Sequence, residues 1–192
     1  MATVQIVYGS RHGGTRGIAE RIGEVLTSEG LRVEVADAGE ASVIPDAAAL
    51  VVGSGVYMGS WLKEPLEFLQ RNEASIATRP LWLFSSGPLL GSTAKPTGGG
   101  PLEDALGPTE GPGSGGRKAI EAISAATHPR DHHVFFGAFD PKDPPKAMSE
   151  RLVRMMPMAK GVLPAGDFRD WEAIEAWAHE IAAALASPAV PA

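Results

Sequence analysis

Two hydrophobic rhythms alternate along this chain. TVQIVY (3–8) is a short β-branched run of strand length. Residues 15–29 then place Ile18, Ala19, Ile22, Val25 and Leu26 three and four positions apart, which is one face of a helix. Gly30 stands where a helix-ending glycine belongs. LRVEVAD (31–37) alternates apolar and polar residues, as a strand near a sheet edge does. AALVVGSGV (48–56) is a continuous apolar run ending in glycine, the pattern of a buried parallel strand. WLKEPLEFLQRN (61–72) sets Trp61, Leu62, Leu66 and Leu69 at helical spacing, with Pro65 near the first turn, where proline is tolerated. PLWLFSS (80–86) and HHVFFGAF (132–139) read as a fourth and a fifth strand. RKAIEAISAAT (117–127) reads as a helix, and DWEAIEAWAHEIAAAL (170–185) as a closing amphipathic helix with Asp170 as its N-cap.

Strands that alternate with helices predict an α/β domain, a parallel sheet covered on both faces through right-handed crossovers. Two stretches interrupt the rhythm. Residues 87–116 are dense in glycine and proline and are expected to form a mobile loop. Residues 140–168 read as a second irregular insertion, in which Met148, Leu152, Met155 and Met156 are spaced so that a short helix there would carry them on one face. At 192 residues the whole chain, 1–192, is expected to be one domain with these decorations.

Composition narrows the classes. No apolar run approaches the ~20 residues of a membrane-spanning helix, and MATVQIVYGS has no basic segment ahead of its apolar residues, which argues against a signal peptide. The chain has no cysteine, which excludes disulfides, thiolate metal sites and cysteine nucleophiles and suits a cytoplasmic protein. A formal charge of −6 argues against general nucleic-acid binding and suits a basic protein partner. The basic, apolar segment 148–160 either packs on the core or touches a hydrophobic substrate or a membrane surface.

The first connection carries the candidate chemistry. Ser10, Arg11, His12, Gly13, Gly14 and Thr15 join a strand to a helix that two or three residues would reach. Backbone N–H groups at a helix start and the helix dipole favour an anion. Gly13 and Gly14 let the backbone approach an oxyanion, Ser10 and Thr15 offer hydroxyls, and Arg11 or Arg16 adds charge. His12 is either a second anion contact or a solvated turn residue. No lysine follows the glycines, so this is no Walker loop, and G-x-G-x-x-G is absent from the turn. A compact cradle suited to a monophosphate remains, or a serine-capped turn that binds nothing.

SRHGGT resembles the phosphate loop of flavodoxins, [TS]-x-T-G-x-T, with His12 where those proteins have threonine. The resemblance extends through GSGVYMGSW and SSGPLLG, and no acidic-aromatic loop with a tyrosine follows the fourth strand. SRHGGTRGIAERI, VVGSGVYMGSWLKEPLEFL and the closing helix are most similar to the flavodoxin-like group containing the menaquinone-dependent protoporphyrinogen dehydrogenase. The resemblance implies a flavodoxin-like three-layer sandwich on a five-stranded parallel sheet of order 2-1-3-4-5. It also implies noncovalent FMN at the carboxyl ends of the strands, where open α/β sheets bind ligands. The phosphate would lie on 10–15. The ring would lie between Ser54, Gly55, Val56, Tyr57, Met58 and Gly59 on one side and Ser86, Gly87, Pro88 and Leu89 on the other. Tyr57 stacks on the ring or closes its edge. Trp61 is the alternative stacker, or a core residue under the following helix.

His132 and His133 are adjacent strand residues and point to opposite faces, so they share no metal, and no metal site is expected. No Ser-His-Asp or paired-carboxylate constellation stands out, so redox chemistry would be the flavin's. Three functions follow. One is a small oxidoreductase acting on a quinone or porphyrinogen-type substrate. Another is an electron carrier that docks on a partner enzyme, and the third is a flavin-free regulatory domain.

Overall fold

The computed structural model describes residues 2–57, 60–87, 100–101, 114–140, 142–144 and 166–187. Strand β1 (Thr3–Gly9) leads into α1 (Gly14–Ser28), followed by β2 (Arg32–Asp37), β3 (Ala47–Tyr57) and the two-residue β4 (Ser60–Trp61). Helices α2 (Lys63–Arg71) and α3 (Glu73–Ile76) precede β5 (Leu81–Ser86). The chain continues through β6 (Gly100–Pro101), α4 (Ser114–Thr127), β7 (Asp131–Phe135), β8 (Ala138–Phe139), β9 (Gly166–Asp167) and α5 (Trp171–Ala186).

Five strands pair in parallel in the order β2-β1-β3-β5-β7. In chain order these are the five strands the pattern predicts, in the predicted arrangement. To this sheet the described residues add two antiparallel pieces, β6 on the outer edge of β7 and β4 folded back on the end of β3, and β8 pairs antiparallel with β9 in a separate two-stranded sheet. The switch in strand order falls between β1 and β3, whose carboxyl ends diverge to helices on opposite faces.

Two cores sandwich the sheet. On one face Ile18, Ile22 and Leu26 of α1 meet Ile174, Trp177 and Ile181 of α5 over Val4, Ile6, Val51 and Phe84. On the other, Phe68 and Leu69 of α2 and Ile76 of α3 cover Val7, Leu50, Val52, Leu81 and Leu83. Alternate residues of each central strand serve opposite cores, as the pleat requires. Gly53 is fixed by close approach: a Cβ there would stand 2.0 Å from Cζ of Phe84. Edge strand β2 is largely exposed, consistent with its alternating sequence. Asp170 caps α5 as expected, its carboxylate accepting from the N–H of Ala173 at 3.0 Å.

Two expected elements shift. The strand expected over 132–139 ends at Phe135, and Ala138–Phe139 pair with β9 in the separate sheet. Trp61 and Leu62 do not open a helix; Trp61 belongs to β4, Leu62 is extended, and α2 starts at Lys63. Pro65 then occupies the first turn, where its missing N–H costs no helical hydrogen bond. The expected short helix of 148–158, the basic stretch 148–160 and most of 87–116 and 140–168 lie outside the described residues. So do Met58, Gly59, Pro88 and Leu89. No helix among the described residues is long and apolar enough to cross a membrane.

Candidate functional site

The turn after β1 is shaped by Gly13, the residue preceding α1. Its φ of 82° lies in the left-handed region, and the space where a Cβ would stand is open. Gly13 donates its N–H to Oγ of Ser10 at 3.1 Å, and its carbonyl accepts the first helical bond, from the N–H of Gly17 at 2.9 Å. The amides of Gly14, Thr15 and Arg16 have no helical acceptor ahead of them. Among the described residues no side chain caps the helix, and its first turn holds no acidic residue. Three oriented donors and the positive end of a 15-residue helix thus lie at the carboxyl end of β1.

The flanking side chains sort themselves around this turn. Arg16 turns away to Glu20, Nε to Oε1 at 2.7 Å, so it is not the cation of the turn. Arg11 instead lies over the ring of Tyr57, with Cζ 4.7 Å from its centroid. His12 is not a solvated turn residue. Its side chain is 6% exposed, with Nδ1 3.5 Å from Oδ2 of Asp143 and its ring 6.5 Å from that of Tyr57. Asp143 therefore lies beside the turn, and the backbone of Ala138 abuts Gly14.

The end of β3 forms the adjoining wall. Gly55 is closely approached: a Cβ there would stand 2.9 Å from Cε2 of Tyr57 and 3.1 Å from Oγ1 of Thr15. Thr15 is buried on the inner side of the turn, and Tyr57 curls back over Gly55 toward Arg11 and His12. The Ser54 hydroxyl is committed within the protein: it donates to the carbonyl of Gly55 and accepts from the N–H of Leu62. The carbonyl of Val56 faces Gly87 at the end of β5, and Ser86 is buried beside them. The structure therefore brings together Ser10 to Thr15, Ser54 to Tyr57, and Ser86 with Gly87, at one end of the sheet around the switch in strand order.

Trp61 takes the core alternative, 4% exposed, with Nε1 donating to Oγ of Ser85 at 2.8 Å. Ser85 Oγ also lies 3.0 Å from Nε2 of His132, and His132 Nδ1 lies 3.1 Å from Oγ of Ser124. Burial pushes the His132 imidazole down to about 4, against a weaker opposing pull from Asp131. His133 points the other way, onto Phe135 and Trp177, and burial lowers it too. Sequence reasoning missed the chain from Trp61 to Ser124. Its only sequence signal was a serine pair and a histidine inside apolar strands.

Comparison with known proteins bears on the fold and the family. The model of the flavodoxin domain family matches residues 5–143. A flavodoxin from the domain Archaea superposes with a TM-score of 0.52 at 16% identity, over 96% of this chain and 99% of that one. Rubredoxin oxygen:oxidoreductase from the anaerobe Desulfovibrio gigas gives a TM-score of 0.55 at 18% identity. That match covers 95% of this chain but 36% of that protein. A short-chain flavodoxin associated with a PDU bacterial microcompartment shares 22% identity over 45% of this chain and 62% of its own length, at a TM-score of 0.40. No curated protein sequence matches the chain.

Proposed function

This chain belongs to the flavodoxin domain family, whose members are FMN-binding flavoproteins, and from that premise we propose that it binds FMN and transfers electrons. The observation that carries this reading is the uncapped start of α1 behind Gly13, with no acidic residue in its first turn. Three amides without a helical acceptor and the helix dipole fit a phosphate monoester. Ser10 can donate its hydroxyl proton to a phosphate oxygen while still accepting from Gly13. Thr15 and Gly55 meet where the turn adjoins the end of β3, and Arg11 over Tyr57 supplies positive charge there. When bound, FMN supplies the redox chemistry. The chain's own residues hold the phosphate and cover the ring between the ends of β3 and β5.

Adding FMN to the apoprotein tests this reading, with quenching of flavin fluorescence as the measure of binding. Thr15→Ala and Ser10→Ala each remove a hydroxyl donor to a charged oxygen. Such bonds contribute about 1.5–3 kcal/mol, so each variant should bind FMN roughly tenfold to a hundredfold more weakly. Unchanged affinity in both would sink the phosphate assignment.

Two uses of the flavin are distinguished by one assay. The charge of −6 supports a carrier that docks on a basic partner. The likeness of SRHGGTRGIAERI and VVGSGVYMGSWLKEPLEFL to the protoporphyrinogen dehydrogenase group supports an enzyme acting on a quinone or porphyrinogen. Turnover of such a substrate by the FMN-loaded protein alone assigns the enzyme. Reduction that requires a second protein assigns the carrier.

A further inference from the structure

We propose that Ser85 and His132 are positioning residues that fix, through Trp61, the β3–β4 hairpin against the end of β5, and so set the two walls between which the flavin ring lies. This role rests on the FMN reading above. Polar side chains in an apolar core are costly unless each finds a partner. Here Ser85 is 1% exposed, Trp61 4% and His132 7%, and a hydrogen-bonded chain joins all three.

The bonding order follows from which atoms can donate. The indole N–H of Trp61 is a donor only, so Oγ of Ser85 accepts it. The Ser85 proton is then free for Nε2 of His132, and the proton on Nδ1 goes to Oγ of Ser124. In this arrangement the imidazole is neutral and no member of the chain lacks a partner. The lowered proton affinity of His132 agrees with it. The ring of Trp61 meets that of His132 edge-on, with centroids 5.6 Å apart.

The consequence lies in β4. A two-residue strand paired at Val56–Trp61 and Tyr57–Ser60 has little hold of its own. Two serines pin its far side. Ser54 accepts the N–H of Leu62 at 2.9 Å, and Ser85 accepts the indole of Trp61 at 2.8 Å. Ser54 directly precedes Gly55, and Ser85 directly precedes Ser86 and Gly87. The bond between Trp61 and Ser85 thus ties one ring wall to the other.

FMN titration of the full chain tests the role, with hydrogen exchange of the Trp61 indole N–H measured in the apoprotein. Ser85→Ala and Trp61→Phe should each weaken FMN roughly tenfold, the equivalent of one net hydrogen bond, and the double variant no more than either alone. His132→Gln carries an amide to the position of Nε2 and should stay within about threefold of the parent. His132→Asn falls short of Ser85 and should behave like Ser85→Ala. The indole N–H should exchange faster in Ser85→Ala and His132→Asn than in the parent and His132→Gln. Parent-like FMN affinity in Ser85→Ala and Trp61→Phe overturns the role. Equal weakening by the Gln and Asn variants overturns the part given to His132. If Ser85→Ala does not fold, Trp61→Phe reads the same bond from its other end. A parent that binds no FMN is a different result: it overturns the proposed function, and this role with it.

Discussion

Acid should weaken this protein through one imidazole. Burial lowers His132 from the ordinary 6.5 to about 4, while in the unfolded chain the group titrates near its ordinary value. Below about pH 6.5 the unfolded chain takes up a proton that the folded chain refuses, so stability falls as pH falls, until the folded group also protonates near pH 4. The full effect is ~3 kcal/mol, of which ~2 kcal/mol is lost between pH 7 and pH 5. For a chain of this size that is about 4–8 °C in Tm. Carboxylates and the lowered His133 also shape the acid limb, but they are common to the parent and His132→Gln. The experiment is therefore urea unfolding of both proteins at pH 7 and pH 5. The parent should lose ~2 kcal/mol more than the variant over that interval. Parallel curves would refute the reasoning, since His132 would then be as easily protonated in the folded protein as outside it.

Other outcomes follow from single contacts. Gly53→Ala drives a methyl into the ring of Phe84 and should destabilise by about 3 kcal/mol, the upper range for overpacking, with Phe84→Leu restoring part of it in the double variant; calorimetry reads both. Gly13→Ala meets no neighbour and should cost only the left-handed backbone, about 1–2 kcal/mol in urea unfolding. Asp170→Ala removes the cap of α5 and should lower stability by about 1 kcal/mol, roughly 2–4 °C in Tm. Tyr57→Ala should brighten the fluorescence of added FMN and weaken its binding modestly, because stacked aromatic pairs contribute about 1 kcal/mol; unchanged emission and affinity would remove Tyr57 from the ring.

The sheet was legible because its strands obey local rules. Val4 and Ile6 face one core and Val7 the other, and the spacing of Ile18, Ile22 and Leu26 describes α1 without reference to the rest of the chain. Trp61 misled because Trp61, Leu62, Leu66 and Leu69 satisfy a helical period, while its real partners are Val56 across a hairpin and Ser85 on another strand. Gly100 and Pro101 carry no strand signal; β6 exists only by pairing with His133 and Val134. The opening turn was legible as chemistry, from Ser10, Gly13 and the helix behind them. The burial of His12 beside Asp143 was not, because nothing in either local sequence refers to the other. The alternation that sends His132 and His133 to opposite faces could be read in advance. Ser85 and Ser124, which receive His132, could not.

The pairing of α1 with α5 joins elements far apart in sequence. Ile18, Ile22 and Leu26 are covered by Ile174, Trp177 and Ile181, and Arg21 bonds to Glu175 as well as to Glu24. During synthesis the apolar face of α1 therefore emerges long before its cover exists. At ~5–20 residues per second, the roughly 150 residues between them take about 8–30 s to translate. For that interval the nascent chain displays a ready hydrophobic stripe, a natural target for ribosome-associated chaperones. A ribosome stalled anywhere before α5 would release a product with one of its two cores open to water.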